Sequence, residues 1–210
     1  MVFFSERTHS FLQGFSYYGV ILLRIRTWLK VLIIGLLTAI GVYAVFTSDW
    51  FQKKYMYPFL YQEAVYTYAL ERELDPFLVT GVIRTESKFI SEARSPKGAL
   101  GLMQIMPETG RWIAEQLGET EYMTADLIDP DLNIRFGSWY LASLKKEFGG
   151  NEVLILAAYN GGRGNVKQWI ERYGWSKDFD DIQQIPFKET REYVEKVMFS
   201  KKRYIELYGR

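Results

Sequence analysis

A long uncharged run of apolar residues near the N-terminus restricts the fold of this chain more than any other feature. The run extends from Val31 to Phe46 and ends before Asp49. Together with the apolar pair that precedes Lys30, it approaches the ~20 residues that a helix needs to cross the hydrocarbon core of a bilayer. The sequence therefore predicts a transmembrane helix over residues 31–48.

The charges on either side of this run predict its orientation. Arg24, Arg26 and Lys30 precede it, and Asp49 follows it. Because basic residues are retained on the cytoplasmic side of a membrane, we expect residues 1–30 in the cytoplasm and the rest of the chain outside.

Two other interpretations of the run stay open. A buried core helix would also be apolar, but this interpretation leaves the basic cluster unexplained. A cleaved signal peptide would use Val42-Tyr43-Ala44 as its small-residue cleavage site. Apolar residues continue past this site to Phe46, which favours a retained single-pass anchor.

Composition then excludes most catalytic chemistries. The chain has no cysteine, and its single histidine, His9, precedes the apolar run. Thiol nucleophiles, thiolate or histidine metal sites and serine–histidine–acid triads are therefore excluded from the body of the protein. A net charge of +1 provides no polybasic surface for nucleic acid. We expect no metal, no cofactor and no nucleic-acid partner, and a chemistry that uses carboxylates, hydroxyls or amides.

Beyond the anchor, the sequence predicts a linker over residues 49–57 and one all-α domain over residues 58–210. Asp-Pro pairs at residues 75–76 and 129–130 each indicate a helix start. The aspartate can cap free backbone N–H groups, and proline is tolerated at the first helical position. Asn133, in the second of these helices, is expected to make a structural hydrogen bond.

The first of these helices carries an anomalous carboxylate. Leu78, Val82 and Glu86 fall on one stripe at intervals of four residues, beside other apolar positions. Burial of an unpaired carboxylate is costly, so we expect the pKa of Glu86 to rise and favour the neutral acid. Cleavage of a glycosidic bond requires such a proton donor. The alternatives are an ion pair with Arg84 or Lys88, or a position at a frayed helix end.

A glycine-rich segment follows this helix. Residues 95–105 read Ser-Pro-Lys-Gly-Ala-Leu-Gly-Leu-Met-Gln-Ile. Gly98 and Gly101 would let the backbone approach a ligand closely, since a side chain there would stand in the way. Gln104 offers a donor and an acceptor to a sugar hydroxyl or an amide, and Met103 offers a flexible apolar surface to a ring face.

A third motif, Ala158-Tyr159-Asn160-Gly161-Gly162, lies further along the chain. Together with Glu86-Ser87-Lys88-Phe89 and segment 95–105, it resembles the soluble-lytic-transglycosylase family of peptidoglycan-cleaving enzymes. The resemblance covers roughly residues 60–205. It implies an all-α, lysozyme-like domain of the goose type behind the transmembrane helix, with Glu86 as the catalytic residue and bacterial cell-wall glycan as the partner.

The resemblance also implies where the glycan binds. Tyr159 would orient Glu86 or hold a substrate carbonyl, and Asn160 would buttress the adjacent turn. Without the resemblance, Tyr159 would be a core aromatic residue and Glu189 an exposed acid at a helix start. Glu189 and Tyr193 lie in Glu-Thr-Arg-Glu-Tyr-Val, which is similar to a family segment that borders the glycan groove. The expected substrate-binding residues are Ser95, Gly101, Met103, Gln104, Tyr159, Asn160, Glu189 and Tyr193.

The mechanism that the resemblance implies needs one carboxylic acid. Glycosidases normally use two, and the sequence offers no convincing partner for Glu86. Glu86 would protonate the bond between N-acetylmuramic acid and N-acetylglucosamine, the substrate's acetamido oxygen would assist, and Glu86 would then promote closure of a 1,6-anhydro ring. Hydrolysis by the same residue, as in goose-type lysozymes, and a non-catalytic wall-binding module stay open. The sequence indicates no particular protein partner or wall process.

Overall fold

The computed structural model describes the backbone of residues 5–209 and the side chains of residues 23–209. It contains two compact units, one that extends to Met56 and one that begins at Tyr57. The described residues form helices and irregular segments without a β-strand, which confirms the all-α prediction. Residues 1–4 of the predicted cytoplasmic segment lie outside the described residues.

The first unit contains one long helix, α1 (Ser5–Thr47). Its part from Leu23 to Thr47 has a mean hydropathy of 2.3 and is long and apolar enough to cross a membrane. At 1.5 Å per residue it measures about 37 Å, against a hydrocarbon core of ~30 Å. Its apolar side chains are exposed rather than packed in a core, which contradicts the buried-core interpretation. The apolar helix starts before Val31, so the basic cluster belongs to the helix itself.

The segment predicted as a linker is helical. Ser48 accepts a hydrogen bond from the Phe51 N–H at 3.3 Å and caps a short helical turn, α2 (Asp49–Phe51). A π-helical turn, Gln52–Met56, follows directly. The rings of Phe51 and Tyr55 pack 5.0 Å apart across these two turns, so local aromatic contacts stabilise the segment.

The second unit begins its helical part at Gln62. Two short 3₁₀ turns, Thr124–Ile128 and Ile182–Gln184, lie between its helices. The α-helices of this unit are α3 (Gln62–Glu71), α4 (Pro76–Glu86), α5 (Pro107–Leu117), α6 (Pro130–Glu147), α7 (Glu152–Gly161), α8 (Arg163–Tyr173) and α9 (Lys188–Tyr208).

Both predicted helix starts are confirmed. The Asp75 carboxylate accepts a hydrogen bond from the Phe77 N–H at 2.8 Å, and the proline after it occupies the first turn of α4. Asp129 accepts in the same way from the Leu132 N–H at 2.9 Å, at the start of α6. These caps fix the first residue of each helix, and therefore the direction in which Glu86 leaves α4.

Helix α4 is the buried centre of the second unit. All six residues of Leu78–Ile83 are buried, and α4 packs along α9. A Cβ on Gly81 would lie only 3.0 Å from the Val197 carbonyl oxygen, so the close approach of the two helices requires glycine. Helix α7 packs against α8 and α9. The end of α4 is thereby brought beside α7 and α9.

One asparagine holds the glycine-rich segment in place. The Asn133 amide nitrogen donates to the carbonyl oxygens of Leu100 at 3.1 Å and Leu127 at 2.7 Å, and its oxygen accepts from the Met103 N–H at 2.7 Å. Asn133 is fully buried, and these bonds satisfy its amide without water. The predicted structural role of Asn133 is confirmed.

Candidate active site

Glu86 is the last residue of α4 and is partly buried. Burial raises the pKa of its carboxyl group from 4.5 to about 7, because desolvation penalises the charged form. Its place at a helix C-terminus acts in the same direction, since the partial negative charge of the helix end disfavours a further negative charge. The expected rise in the pKa is confirmed.

Two tyrosines face this carboxyl group. Tyr193, from α9, is buried, and its hydroxyl lies close enough to lower the pKa of Glu86, although the effect of burial is larger. This hydroxyl makes no hydrogen bond of normal geometry with a described residue. Tyr159, from α7, donates to the Met103 carbonyl oxygen at 2.8 Å. Burial, and then the charge of Glu86, raises the pKa of both phenols well above the usual range.

Charged groups are absent from the surroundings of Glu86, as far as the described residues extend. No charged group among the described residues contributes to the shift in the pKa of Glu86. The ion-pair alternatives are therefore wrong: the Arg84 guanidinium lies over the Tyr57 ring, 5.7 Å from its centroid, and Lys88 is exposed. No carboxylate of residues 23–209 acts on Glu86 either, so within this range it is a single acid between two phenols.

Two polar side chains of the glycine-rich segment form hydrogen bonds with the nearby backbone. The Ser95 hydroxyl oxygen accepts from the Ala99 N–H at 2.9 Å. The Gln104 amide nitrogen donates to the carbonyl oxygens of Ala93 at 3.1 Å and Gly101 at 2.9 Å. With respect to residues 23–209, these bonds leave the Ser95 hydroxyl hydrogen and the Gln104 side-chain oxygen for a ligand.

The structure corrects the reason for the glycine at position 101. Gly101 has a φ of +79°, and a Cβ there would lie 2.2 Å from the Asn133 amide nitrogen and 2.3 Å from the Leu127 carbonyl oxygen. Packing inside the protein therefore requires this glycine, rather than the approach of a ligand. Around Gly98, where φ is +92°, the space is open, so the ligand-approach interpretation stays a prediction for Gly98.

The structure also corrects the interpretation of Met103. Its side chain is fully buried, and its sulfur would lie 2.2 Å from a Cβ on Gly137 of α6. The side chain therefore offers no surface to a sugar ring. Only the Met103 backbone takes part in the site, through its carbonyl bond to Tyr159.

Asn160 and Glu189 occupy different environments. The Asn160 side-chain oxygen accepts from the Thr190 hydroxyl at 2.8 Å and ties α7 to α9, instead of the adjacent turn that it was expected to buttress. Glu189 is exposed in the first turn of α9, and its carboxylate lies 3.8 Å from the Lys97 ammonium of the glycine-rich segment. Such an exposed ion pair contributes little to stability, so a ligand can displace it.

The sequence pattern does not reveal the roles of Thr190 and Tyr140. Thr190 is buried and fixes Asn160; its place in the Glu-Thr-Arg segment is the one signal that points to it. The Tyr140 ring packs on the Tyr159 ring with 5.5 Å between centroids. Helical spacing assigns Tyr140 to the core, and no local signal separates it from an ordinary core aromatic residue.

Comparison with known proteins decides the family. Residues 63–182, more than half of the chain, match the transglycosylase SLT domain family. This chain belongs to that family. The SLT domain contains Glu86, the glycine-rich segment and Tyr159, whereas α9 with Tyr193 follows its matched end.

Curated relatives include soluble and membrane-bound proteins. The chain is 33% identical over 151 residues to the soluble lytic murein transglycosylase of Escherichia coli strain K12, with 71% of this chain and 23% of that protein covered. It is 29% identical over 156 residues to membrane-bound lytic murein transglycosylase C of Actinobacillus pleuropneumoniae serotype 5b, with 64% and 42% covered. The chain thus spans about a quarter of the length of the Escherichia coli relative.

Solved structures show the same fold for the SLT domain. An inactive glutamate-to-glutamine mutant of the lytic transglycosylase Slt from Pseudomonas aeruginosa matches with a TM-score of 0.66 and 37% identity, over 75% of this chain and 26% of that one. A complex of the 70-kDa soluble lytic transglycosylase with bulgecin A matches with a TM-score of 0.71 and 32% identity, over 77% and 26%.

The described residues contain no candidate metal site. No group of three or more histidine, cysteine, aspartate or glutamate side chains there could hold a metal ion. The two groups shown beside Glu86 are the phenols of Tyr159 and Tyr193, whose chemistry is hydrogen bonding. The site as described can therefore donate and accept protons and bind sugar hydroxyl or amide groups.

Proposed function

We propose that this chain is a peptidoglycan lytic transglycosylase in which Glu86 is the single acid and base. The observation that carries the proposal is a carboxyl group with a pKa of about 7 and no charged neighbour among the described residues. At neutral pH about half of such groups hold a proton. The group can therefore donate a proton in one step and accept one in the next.

In the first step, protonated Glu86 gives its proton to the glycosidic oxygen between N-acetylmuramic acid and N-acetylglucosamine. The bond between this oxygen and the muramic C1 breaks, and the N-acetylglucosamine end leaves as an alcohol. The positive charge that develops at C1 is met by the acetamido oxygen of the same sugar. This substrate assistance replaces the second carboxylate of ordinary glycosidases, which agrees with the lone position of Glu86.

In the second step, Glu86 acts as the base. Its carboxylate removes the proton from the muramic C6 hydroxyl, and O6 bonds to C1 as the acetamido oxygen leaves. The product is a 1,6-anhydro end, and Glu86 is protonated again by the proton from the C6 hydroxyl. No water is consumed, so the reaction balances as an intramolecular transfer.

The two tyrosines have different roles beside Glu86. The surrounding buried phenols keep water away and favour the neutral acid before cleavage. After proton transfer, the Tyr193 hydroxyl can donate a hydrogen bond to the new carboxylate, in keeping with its lowering effect on the pKa of Glu86. Tyr159 is committed to the Met103 carbonyl, so its contribution is to hold the glycine-rich segment beside the acid.

The glycan would lie across the glycine-rich segment and the start of α9. Ser95 and Gln104 offer the polar atoms described above, and Glu189 offers an exposed carboxylate at the start of α9. An inactive relative with glutamate replaced by glutamine and a relative that binds bulgecin A support a site of this kind on this fold.

The decisive experiment is mass spectrometry of the fragments that the purified chain releases from sacculi. Transglycosylation yields anhydro ends, whereas hydrolysis adds water and yields reducing ends that are 18 Da heavier, as follows from the molecular mass of water added across the bond. We expect anhydro ends. Reducing ends would replace the proposal by hydrolysis, and binding to sacculi without release would replace it by a wall-binding module.

We also propose that α1 anchors the domain outside the bacterial cell membrane with the N-terminus in the cytoplasm. The support is the apolar span Leu23–Thr47 and the basic residues at its N-terminal end. Because the chain has no cysteine, single cysteines can report topology. In intact cells, a membrane-impermeant maleimide should label Ser176→Cys and spare Ser10→Cys; the reverse pattern would contradict the orientation.

A further inference from the structure

A cavity lies on the surface that α5, α6 and α8 form. Its volume is about 660 Å³, and the rings of Trp112 and Trp139 line it. The two rings meet edge to face with centroids 5.2 Å apart. A smaller cavity of about 330 Å³, lined by Trp112, Tyr140 and Arg163, adjoins it through shared residues. We call the two together the tryptophan cavity.

Basic side chains dominate the border of the tryptophan cavity. Arg72, Lys146, Arg163 and Lys167 line it, together with the two acids Glu108 and Glu147. Glu147 engages Arg163 at 2.9 Å and Lys167 at 2.6 Å. Lys146 makes no ion pair with another residue of the described chain. The chain after residue 48 has more acidic than basic residues, so this local excess of positive charge is a specific feature of the cavity.

The arrangement of these groups indicates the chemistry of a ligand. The Arg163 guanidinium lies over the Trp112 ring, 5.6 Å from its centroid, and Glu147 holds it there. A planar cation on an aromatic ring presents N–H donors suited to a carboxylate. The cavity therefore fits a ligand with free carboxylates and an aliphatic part that can lie on the tryptophans.

Tyr140 joins the tryptophan cavity to Glu86. Its ring contacts Trp112 at 6.1 Å and Tyr159 at 5.5 Å between centroids, and Tyr159 faces Glu86. A substituent of a sugar held at Glu86 could therefore reach the cavity along this row of rings. In peptidoglycan, the substituent with free carboxylates is the peptide stem on muramic acid.

We propose that the tryptophan cavity binds the carboxylates of the peptide stem carried by the glycan at Glu86. The proposal rests on the proposed function for its substrate. A phosphate-bearing wall polymer has the same charge, but it is not tethered to the sugar at Glu86. The connection through Tyr140 favours the stem.

The test is calorimetric titration of the Glu86→Gln chain in detergent. Three ligands are compared: a muramic-acid disaccharide with its stem, the same disaccharide without the stem, and the stem form with its carboxyl groups amidated. We expect the charged stem form to bind most tightly. Equal affinity for the three would overturn the proposal.

Charge variants locate the effect. Lys146→Glu should weaken binding of the charged stem form about tenfold and leave the other two ligands unchanged, because it replaces attraction by repulsion. Lys202→Glu, the same change at an exposed position of α9, is the matched control. An equal loss in both variants would show a general charge effect and contradict the proposal.

A variant of the aromatic floor separates packing from charge. Trp112→Ala should weaken both stem forms, charged and amidated, and spare the stem-free disaccharide; near-ultraviolet circular dichroism checks that it folds. If inorganic phosphate competes with the charged stem form and wall phosphate polymer binds more tightly than it, the site belongs to that polymer instead.

Cleavage by the Glu86→Gln chain, visible by mass spectrometry of the titration mixture, would refute the catalytic assignment. The comparison between stem forms at Lys146 would still decide the cavity. The two proposals therefore fail in different measurements.

Discussion

Glu86 and Glu147 occupy equivalent positions in two different surroundings. Each is the last residue of its helix, α4 and α6 respectively, and each is partly buried. Glu147 has the Arg163 and Lys167 side chains at 2.9 and 2.6 Å. Glu86 faces two phenols, and no charged group of the described residues acts on it. The same residue type at the same place on a helix thus has cationic partners in one region and none in the other.

The difference shows what makes a carboxyl group useful for acid catalysis. A carboxylate between two cations is held in place by its ion pairs and serves the structure. A carboxyl group among uncharged neighbours keeps its proton near neutral pH and can exchange it with a substrate. The four predictions below test this contrast, from the largest expected effect to the smallest.

Replacement of the neutral acid should remove the chemistry. Glu86→Gln keeps the shape but cannot donate a proton, so we expect release of glycan fragments to fall about a thousandfold or more. Glu115→Gln, at an exposed position of α5, is the matched control and should keep full activity. Near-normal fragment release by the Glu86→Gln chain would contradict the catalytic role of Glu86.

The same replacement should stabilise the protein at high pH. Between pH 4.5 and about 7, folded Glu86 holds a proton that the unfolded chain has released. The native state therefore binds more protons, and its stability falls as the pH rises through this window. Glutamine does not titrate, so the variant does not lose stability as the pH rises through this window. Glu86→Gln should raise the free energy of unfolding by about 3 kcal/mol at pH 8 and by almost nothing below pH 4.5.

Denaturant unfolding of the chain in detergent, followed by near-ultraviolet circular dichroism, measures this gain. The comparison of pH 8 with pH 4 separates the proton effect from a change in packing. A gain of the same size at both pH values would mean that the carboxyl group carries no special penalty. Glu115→Gln again supplies the control, since its side chain is exposed.

Removal of the cations from Glu147 should make its surroundings similar to those of Glu86. The double variant Arg163→Ala, Lys167→Ala leaves a partly buried carboxylate without its partners. We expect the free energy of unfolding to fall by about 1–2 kcal/mol at pH 8, measured by denaturant unfolding of the chain in detergent. Lys146→Ala combined with Lys202→Ala removes the same charge without exposing Glu147 and should cost less at pH 8.

The smallest effect concerns the phenol at Glu86. The Tyr193 hydroxyl lowers the pKa of the carboxyl group, so Tyr193→Phe should raise it. Activity depends on the protonated acid, and its decline above pH 7 should move upward by less than about one pH unit. The pH profile of kcat/KM measures the shift, with Tyr173→Phe as an exposed control. A downward movement of the profile would contradict the role assigned to Tyr193.

Several elements could be predicted from local signals alone. The aspartate caps at Asp75 and Asp129 act on N–H groups two or three residues away, so the sequence indicates them directly. The apolar stripe of α4 placed Glu86 on a buried face for the same reason. The length of the uncharged apolar run also predicted a helix there, although α1 begins before the predicted residue, because a helix can continue through charged positions.

The corrections came from contacts between segments that are distant in sequence. Gly101 is required by Asn133, thirty-odd residues later, and the Met103 side chain packs against Gly137. The same glycine-rich sequence is expected whether a ligand or another segment of the protein occupies the space next to the glycine. Only packing distinguishes the two cases.

The sequence by itself determined the helical class, the anchor-like span, the absence of thiol chemistry and the single candidate acid. Those properties depend on composition and on spacings of a few residues. The tertiary structure decided which neighbours Glu86 has, and therefore the pKa of its carboxyl group, and it joined Tyr140 to both Tyr159 and Trp112. Burial and electrostatic environment are set by side chains from α4, α7 and α9 together, and no local pattern specifies how three separate helices meet.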